Sequence, residues 1–261
     1  MFDQLSTFGF LFQGPVLPIG TWSFLLTVAC FFVSTPFYRL VSSHYRTLSR
    51  EQQVDWNSRS ASSLHAIVTT ILPLWLMFTD PELRADPVNY APVVAHQMMA
   101  ITVGYLAGDF LVVFSHQKQF GVAISRQTML HHFIGVVGFS IMILFRVFSW
   151  FAIFRLSSEA STVFINIRWM LATNPKWKSS WLYILNGSVM TIVFFAFRVG
   201  SLPYYYYVLV DAWPNMVATR ETWQIITLLV FGSTIDTLNV YWFSKIWGGL
   251  MSMVRPRSKT Q

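Results

Sequence analysis

Two adjacent histidines, His131 and His132, lie in an apolar stretch of the chain where ionisable side chains are rare. An imidazole with a carboxylate nearby is a workable general base around neutral pH. Neighbours on a helix point about 100° apart, so both rings can border a wide cavity without pointing along one line. The pair therefore predicts a division of roles, in which one ring acts on a substrate while a neighbour holds the other.

The composition indicates which kind of molecule must position this pair. Of the 261 residues, 54% are hydrophobic and 11% are charged, against roughly 25% charged residues in an average soluble domain. The mean hydropathy is +0.49. These values exclude a disordered chain, a coiled coil and an ordinary soluble enzyme. Because the period-two alternation of membrane strands is absent, the predicted fold class is an all-α polytopic membrane protein.

Seven apolar runs are each long enough to cross a bilayer as a helix. They lie near residues 17–38, 61–79, 91–115, 128–146, 148–170, 180–203 and 222–247. The fourth and fifth runs are separated by so little that a tight helical hairpin is expected as one arrangement. The predicted number of spans is seven, to within about one.

Positive charge alternates between the segments that join these runs. Lys and Arg follow the first, third, fifth and seventh runs, whereas the stretches 80–86 and 204–221 carry Asp and Glu against a single Arg each. Since Lys-rich and Arg-rich loops stay in the cytosol, we expect a lumenal N-terminus and a cytosolic C-terminus. The net charge of +7 then favours contact with anionic membrane lipids, and no basic tract of the kind that binds nucleic acid is present.

Ionisable side chains inside a membrane span are costly, so each is a candidate for function. With a rise of 1.5 Å per helical residue, one group is predicted to lie at a single depth in the cytosolic half: His65, Asp109, His131 and His132. Tyr105 falls one turn deeper, and Glu159 and Asp236 fall nearer the midplane. The alternative is that these side chains only form hydrogen bonds between helices.

From these positions we predict two sets of site residues. The catalytic set is His131, His132, Asp109 and Glu159. The substrate-binding set is His65, Tyr105, Asn166, Arg168, Asp236 and Asn239. No metal site is predicted, because the chain lacks HxxxH, HxxHH and HExxH patterns and a second histidine cluster. No bound cofactor is expected either.

Buried ion pairs are a competing explanation for the acidic residues. Arg155 precedes Glu159 by four residues and is expected to share its helix face. Arg198 lies inside the sixth run and needs an acidic partner, for which Asp236 is the candidate. The stretch from Trp56 to Arg59 is interpreted as an anchor at the membrane interface.

Several short motifs in this order resemble the TLC domain, the family of ceramide synthases and translocating-chain-associated membrane proteins. The motifs are Trp56 to Arg59, Ser63-Leu64-His65, Gly104-Tyr105-Leu106 with Asp109, Leu130-His131-His132, Ser158-Glu159-Ala160-Ser161 with Phe164, Asn166, Arg168 and Trp169, and Asp236 with Leu238-Asn239. Within the family the chain is most similar to the TLC domain-containing protein 4 group.

The resemblance implies a fold and a site. Spans two to seven would form a six-helix barrel, within a TLC domain over 51–250, with a lumenal segment and first span over 1–50 and a basic cytosolic tail over 251–261. In ceramide synthases the paired histidines transfer an acyl chain from acyl-CoA to a sphingoid amine, a role that carries to His131 and His132. The second acid of the Asp-Ala-Ser-Asp stretch in those enzymes is Thr162 here.

Three functions remain open on the sequence. The first is an acyltransferase of lipid metabolism that uses acyl-CoA as co-substrate, most simply in the endoplasmic reticulum. The second is a non-catalytic protein that binds or senses lipid and regulates phospholipid composition. The third is an interaction protein of the endoplasmic reticulum, for which the short loops offer little docking surface.

Overall fold

The computed structural model describes residues 15–254, which are almost entirely helical. The α-helices are α1 Val16–Val41, α2 Ser43–Thr47, α3 Arg50–Thr79, α4 Pro81–Ala85, α5 Val93–Ser115, α6 Gln117–Phe120, α7 Val122–Phe145, α8 Ser149–Leu156, α9 Thr162–Ala172, α10 Pro175–Lys178, α11 Trp181–Phe194, α12 Leu202–Asp211, α13 Trp213–Thr219 and α14 Thr222–Val254. The predicted N-terminal lumenal segment before residue 15 and the basic tail from 255 onward lie outside the described residues.

Six helical stretches are long and apolar enough to cross a membrane, and they coincide with six of the seven predicted runs. The predicted fifth run, 148–170, is helical in three pieces: α8, a 3₁₀ turn over Ser157–Ser161, and α9. The chain is an all-α polytopic membrane protein, as its composition predicts. The expectation of one continuous helix over 148–170 is wrong, because the 3₁₀ turn divides it.

The turn between the fourth and fifth runs is as tight as their spacing suggests. Arg146 and Phe148 both adopt left-handed backbone conformations, with φ of 53° and 58°, which are unfavourable for residues other than glycine. The backbone N–H of Phe148 donates to the carbonyl oxygen of Val88 at 3.0 Å. This bond fixes the hairpin against the segment between α4 and α5.

The first span packs against α5 through small residues. A Cβ atom added to Gly104 would collide with the carbonyl oxygen of Gly20, and the Ser23 hydroxyl donates to the carbonyl oxygen of Ile101 at 2.6 Å. Small residues let two membrane helices approach closely in this way. The close contact supports α5 along the face next to the one that carries Tyr105 and Asp109.

The sixth predicted run is longer than expected. Helix α11 passes through a π-helical turn over Phe195–Val199 and continues through α12 to Asp211. Tyr204 to Tyr207 therefore belong to this helix. Single π turns insert one extra residue into a helix and change the direction of its side chains.

The connecting segments gather at two ends of the helices. The ring of His44, between the first two spans, lies 2.9 Å from the Thr173 hydroxyl, after the fifth. At the other end the amide of Asn89 donates to Asn215 at 3.2 Å. We call the end that carries His44, Lys118 and Lys176 the basic end.

Candidate functional site

A wide cavity of about 720 Å³ opens within the helices towards the basic end. Its wall takes side chains from α3, α5, α6, α7, α9 with the preceding 3₁₀ turn, α11 with the π turn that follows it, and α14. Most of the predicted site residues line it, namely Tyr105, Asp109, His131, His132, Glu159 and Asn166. The wide cavity is therefore polar where these segments converge.

A narrow cavity of about 100 Å³ extends in the opposite direction and is almost wholly apolar. Its wall is built mainly from α7, α8 and α14, with His65 and Thr102 contributed by α3 and α5. Three residues border both cavities: Leu106, His131 and Glu159. His131 and Glu159 therefore stand at the junction of a polar space and an apolar one.

Both ring nitrogens of His132 are engaged. Its Nδ1 lies 2.8 Å from the carbonyl oxygen of Thr128, to which it must donate. Its Nε2 lies 3.3 Å from a carboxylate oxygen of Asp109, whose other oxygen accepts from the Ser58 hydroxyl at 2.9 Å. His132 is therefore held in place by its neighbours.

The ring of His131 is much less constrained. Its Nε2 lies 4.0 Å from Glu159, beyond hydrogen-bond range. Its Nδ1 is buried without a protein partner. The ring packs edge-on against Trp242, with centroids 5.9 Å apart. Of the two adjacent histidines, His131 is the one with a ring nitrogen available to a ligand.

Glu159 is fixed from two sides. Thr162, the residue in place of the second acid, donates its hydroxyl to one carboxylate oxygen at 2.7 Å. The guanidinium of Arg198 approaches the other oxygen at 3.3 Å. Arg198 also donates to the Ser161 hydroxyl at 2.9 Å and to the side-chain oxygen of Asn239 at 3.1 Å. The π turn places Arg198 in this position, where its hydrogen bonds join the π turn to the 3₁₀ turn and to α14.

The ion pairs differ from those expected. Arg155 pairs with Asp236, not Glu159, and Arg198 pairs with Glu159, not Asp236. The cause is the 3₁₀ turn at Ser157–Ser161, since residues four apart no longer share a face when there are three residues per turn. Arg155 instead points into α14, where Asp236 also accepts from the Tyr206 hydroxyl at 2.7 Å.

Asn166 connects α9 to α3. Its amide nitrogen donates to the hydroxyls of Ser62 and Ser63, at 3.2 and 3.0 Å, and its oxygen accepts from Arg59 at 3.1 Å. Arg59 also pairs with Asp55 at 2.8 Å. The predicted membrane anchor from Trp56 to Arg59 thus places Ser58 and Arg59 in the cavity wall.

The remaining predicted site residues lie at different distances from His131 and Glu159. His65 stacks on Tyr105 with ring centroids 3.8 Å apart. Arg168 turns towards α11, where it donates to the carbonyl oxygen of Tyr183 at 3.1 Å and lies over that ring. Arg168, Asp236 and Asn239 are not among the residues that line the wide cavity. Asn239 contacts the site through the hydrogen bond that it accepts from Arg198.

Ser58, Arg198 and Trp242 are site residues that the sequence did not reveal. Ser58 lies within a motif whose pattern indicates an interface anchor, and the sequence favours Asp236 over Glu159 as the partner of Arg198. The sequence around Trp242 does not distinguish it from a tryptophan that lies at the membrane interface. Within residues 15–254, no three His, Cys, Asp or Glu side chains converge as metal ligands.

These features define a class: a polytopic membrane protein whose helices enclose a histidine-containing cavity. The chain belongs to the TLC domain family, because the model of that domain matches residues 55–248. This confirms the resemblance found in the sequence motifs.

Similar proteins extend over nearly the whole chain. TLC domain-containing protein 4 of Xenopus tropicalis is 33% identical over 92% of both chains. The human protein of the same name is 30% identical over 88% of this chain and 87% of its own. Topoisomerase I damage affected protein 4 of Saccharomyces cerevisiae is 27% identical over 86% of this chain and 81% of its own. No solved structure matches the chain.

Proposed function

We propose that this protein is an acyl-CoA-dependent lipid acyltransferase of the endoplasmic reticulum membrane, with His131 as the general base. The observation that carries the proposal is the position of His131. Its Nε2 is uncommitted, 4.0 Å from Glu159, and its ring borders both a polar and an apolar cavity. A lipid has the same two-part character, with a polar head on an apolar chain.

The proposed reaction uses groups that are already in place. The hydroxyl or amine of an acceptor lipid attacks the thioester carbonyl carbon of acyl-CoA, the C–S bond breaks, and CoA leaves as the thiol. His131 takes the proton from the attacking group and returns it to the sulfur. Glu159 lies close enough to stabilise the imidazolium that forms in between. His132, held by Thr128 and Asp109, is a positioning residue in this scheme.

The wide cavity has the charges needed to bind acyl-CoA. Arg59 and Lys245 both contribute to its wall, and their cationic groups can meet phosphate groups. The cavity opens towards the basic end, which the charge distribution predicts to be cytosolic. Acyl-CoA would then enter from the compartment in which it is made.

One observation favours a second candidate, a non-catalytic lipid-binding protein that regulates phospholipid composition. Glu159 already accepts bonds from Thr162 and Arg198, and the second acid found in ceramide synthases is absent. A site arranged in this way can bind a polar headgroup beside His131 without catalysing a reaction of that lipid.

The test is transfer of labelled acyl chains from acyl-CoA into lipid, in membranes that contain equal amounts of each variant. We expect His131→Gln to abolish the labelled product and His132→Gln to reduce it. The matched control is His116→Gln, since His116 packs on Phe31 outside both cavities. Full activity of the His131→Gln variant would contradict the proposed mechanism. A lipid that co-purifies without any turnover would support the second candidate.

A further inference from the structure

Helices α7 and α14 run antiparallel and touch at both ends of a shared seam. At the basic end the indole N–H of Trp242 donates to the side-chain oxygen of Gln127 at 2.9 Å. At the other end the rings of Phe145 and Trp223 meet edge to face, with centroids 4.9 Å apart. These two contacts hold the helices in a fixed register.

Between these contacts, α7 presents Gly138 to α14. Gly138 borders the narrow cavity and is half-buried, whereas Gly135 of α7 faces Leu106 of α5 and Gly232 of α14 faces Arg155. A Cβ atom added to Gly138 would lie 3.4 Å from the ring of Phe231, in ordinary van der Waals contact. Phe231 is therefore the bulkiest group that faces Gly138 across the seam.

The narrow cavity lies directly behind this seam and follows it. On α7 its wall runs from His131 to Met142, and on α14 from Ile235 to Gln224. Eleven residues of helix correspond to roughly 16 Å on either side. The cavity is thus an apolar slot that reaches the junction at His131 and Glu159.

We propose that the α7–α14 seam is a lateral entry from the bilayer, through which a hydrocarbon chain of the acceptor lipid enters the slot. This inference rests on the proposed function. Both helices cross the membrane, so the seam faces lipid tails, and its apolar lining suits a chain better than water. The polar head of that lipid would then lie beside His131. The two substrates would thus approach from different sides: acyl-CoA from the basic end and the acceptor from the bilayer.

The test introduces a larger side chain into the seam and leaves the polar residues of the wide cavity unchanged. The variant is Gly138→Leu, and the matched control is Val137→Leu, one position along α7 and outside both cavities. The protein is placed in vesicles that contain a photoreactive, single-chain amino lipid, and the lipid crosslinked to the protein is counted. Binding of labelled acyl-CoA from solution is measured in parallel.

We expect Gly138→Leu to reduce lipid crosslinking by roughly tenfold, since overfilling a packed space carries that order of penalty. Acyl-CoA binding should stay at the native level, and Val137→Leu should change neither readout. A second variant, Phe231→Ala, widens the seam and should increase lipid crosslinking, which keeps the test decisive if Gly138→Leu does not fold.

The outcomes separate the inference from the proposed function. Unchanged lipid crosslinking in Gly138→Leu, together with native acyl transfer, would overturn the lateral entry and leave the acyltransferase proposal standing. An equal loss in Val137→Leu would also overturn it, because the effect would not depend on the seam. If the native protein crosslinks no lipid and transfers no acyl group, both proposals fail.

Discussion

The two cavities are built by different means. The wall of the wide cavity is joined by polar contacts between segments, such as the hydrogen bond from Arg198 to Glu159 and the 3.3 Å contact between His132 and Asp109. The narrow cavity depends on packing, and buried polar atoms in its wall have no protein partner: His65 Nδ1 and Tyr205 Oη. The wall of the wide cavity is therefore held together by specific polar pairs, each of which a single substitution can break. The wall of the narrow cavity is held together by the packing of complementary side-chain shapes.

The largest effect is expected from Arg198→Met on the polar side. Its removal leaves the partly buried carboxylate of Glu159 without its cation and takes a partner from Ser161 and Asn239. Breaking a buried pair from one side costs about 3–5 kcal/mol in free energy of unfolding. The measurement is reversible unfolding in mixed micelles.

The control is Arg155→Met, which breaks the ion pair beside the narrow cavity. We expect a smaller loss, because Arg198 also donates to Ser161 and Asn239, whereas the hydrogen bonds of Arg155 within the described residues go to Asp236. The double variant Arg198→Met, Glu159→Gln should regain part of the stability, since it removes the uncompensated charge. Equal losses for Arg198→Met and Arg155→Met would argue against the contrast between the two cavities.

The next effect in size is expected from Asp109→Asn. The neutral amide still accepts from Ser58, but it no longer offers a charged partner to Nε2 of His132. Leaving a buried polar group without its partner costs about 1–3 kcal/mol, so we expect a destabilisation of that order. The same unfolding measurement checks it.

Asp55→Asn is the matched control for this substitution. Asp55 pairs with Arg59 four residues along α3, with both side chains partly exposed. Pairs of that kind contribute about 0–1 kcal/mol. A loss as large for Asp55→Asn as for Asp109→Asn would mean that the buried pair with His132 adds no specific stability.

Much of the polar side follows from the sequence, because depth along a helix is simple to count. His65, Asp109, His131 and His132 were expected at one level, and the structure brings the last three to one cavity wall and His65 against Tyr105. The count works because each residue lies in a regular α-helix, where the rise per residue is fixed.

The ion pairs did not follow from the sequence, because they depend on irregular turns. The 3₁₀ turn at Ser157–Ser161 and the π turn at Phe195–Val199 change which residues share a face. Nothing in the apolar pattern marks either turn, so the sequence predicts for Arg155 and Arg198 the acidic partner that the other one has in the structure. Arg168 was placed near the site by its position in a motif, and its side chain instead packs on Tyr183.

The smallest effect is expected from His65→Phe on the wall of the narrow cavity. The ring stacks on Tyr105 and its Nδ1 has no protein partner, so a phenyl ring keeps the stacking and removes a buried unpaired atom. Replacing such a group is nearly neutral or stabilising, within about 1 kcal/mol. Tyr105→Leu is the control, since it removes the stacking partner and should destabilise. A marked loss of stability in His65→Phe would mean that Nδ1 has a polar partner, such as a bound water, and the narrow cavity would then share the organisation of the wide one.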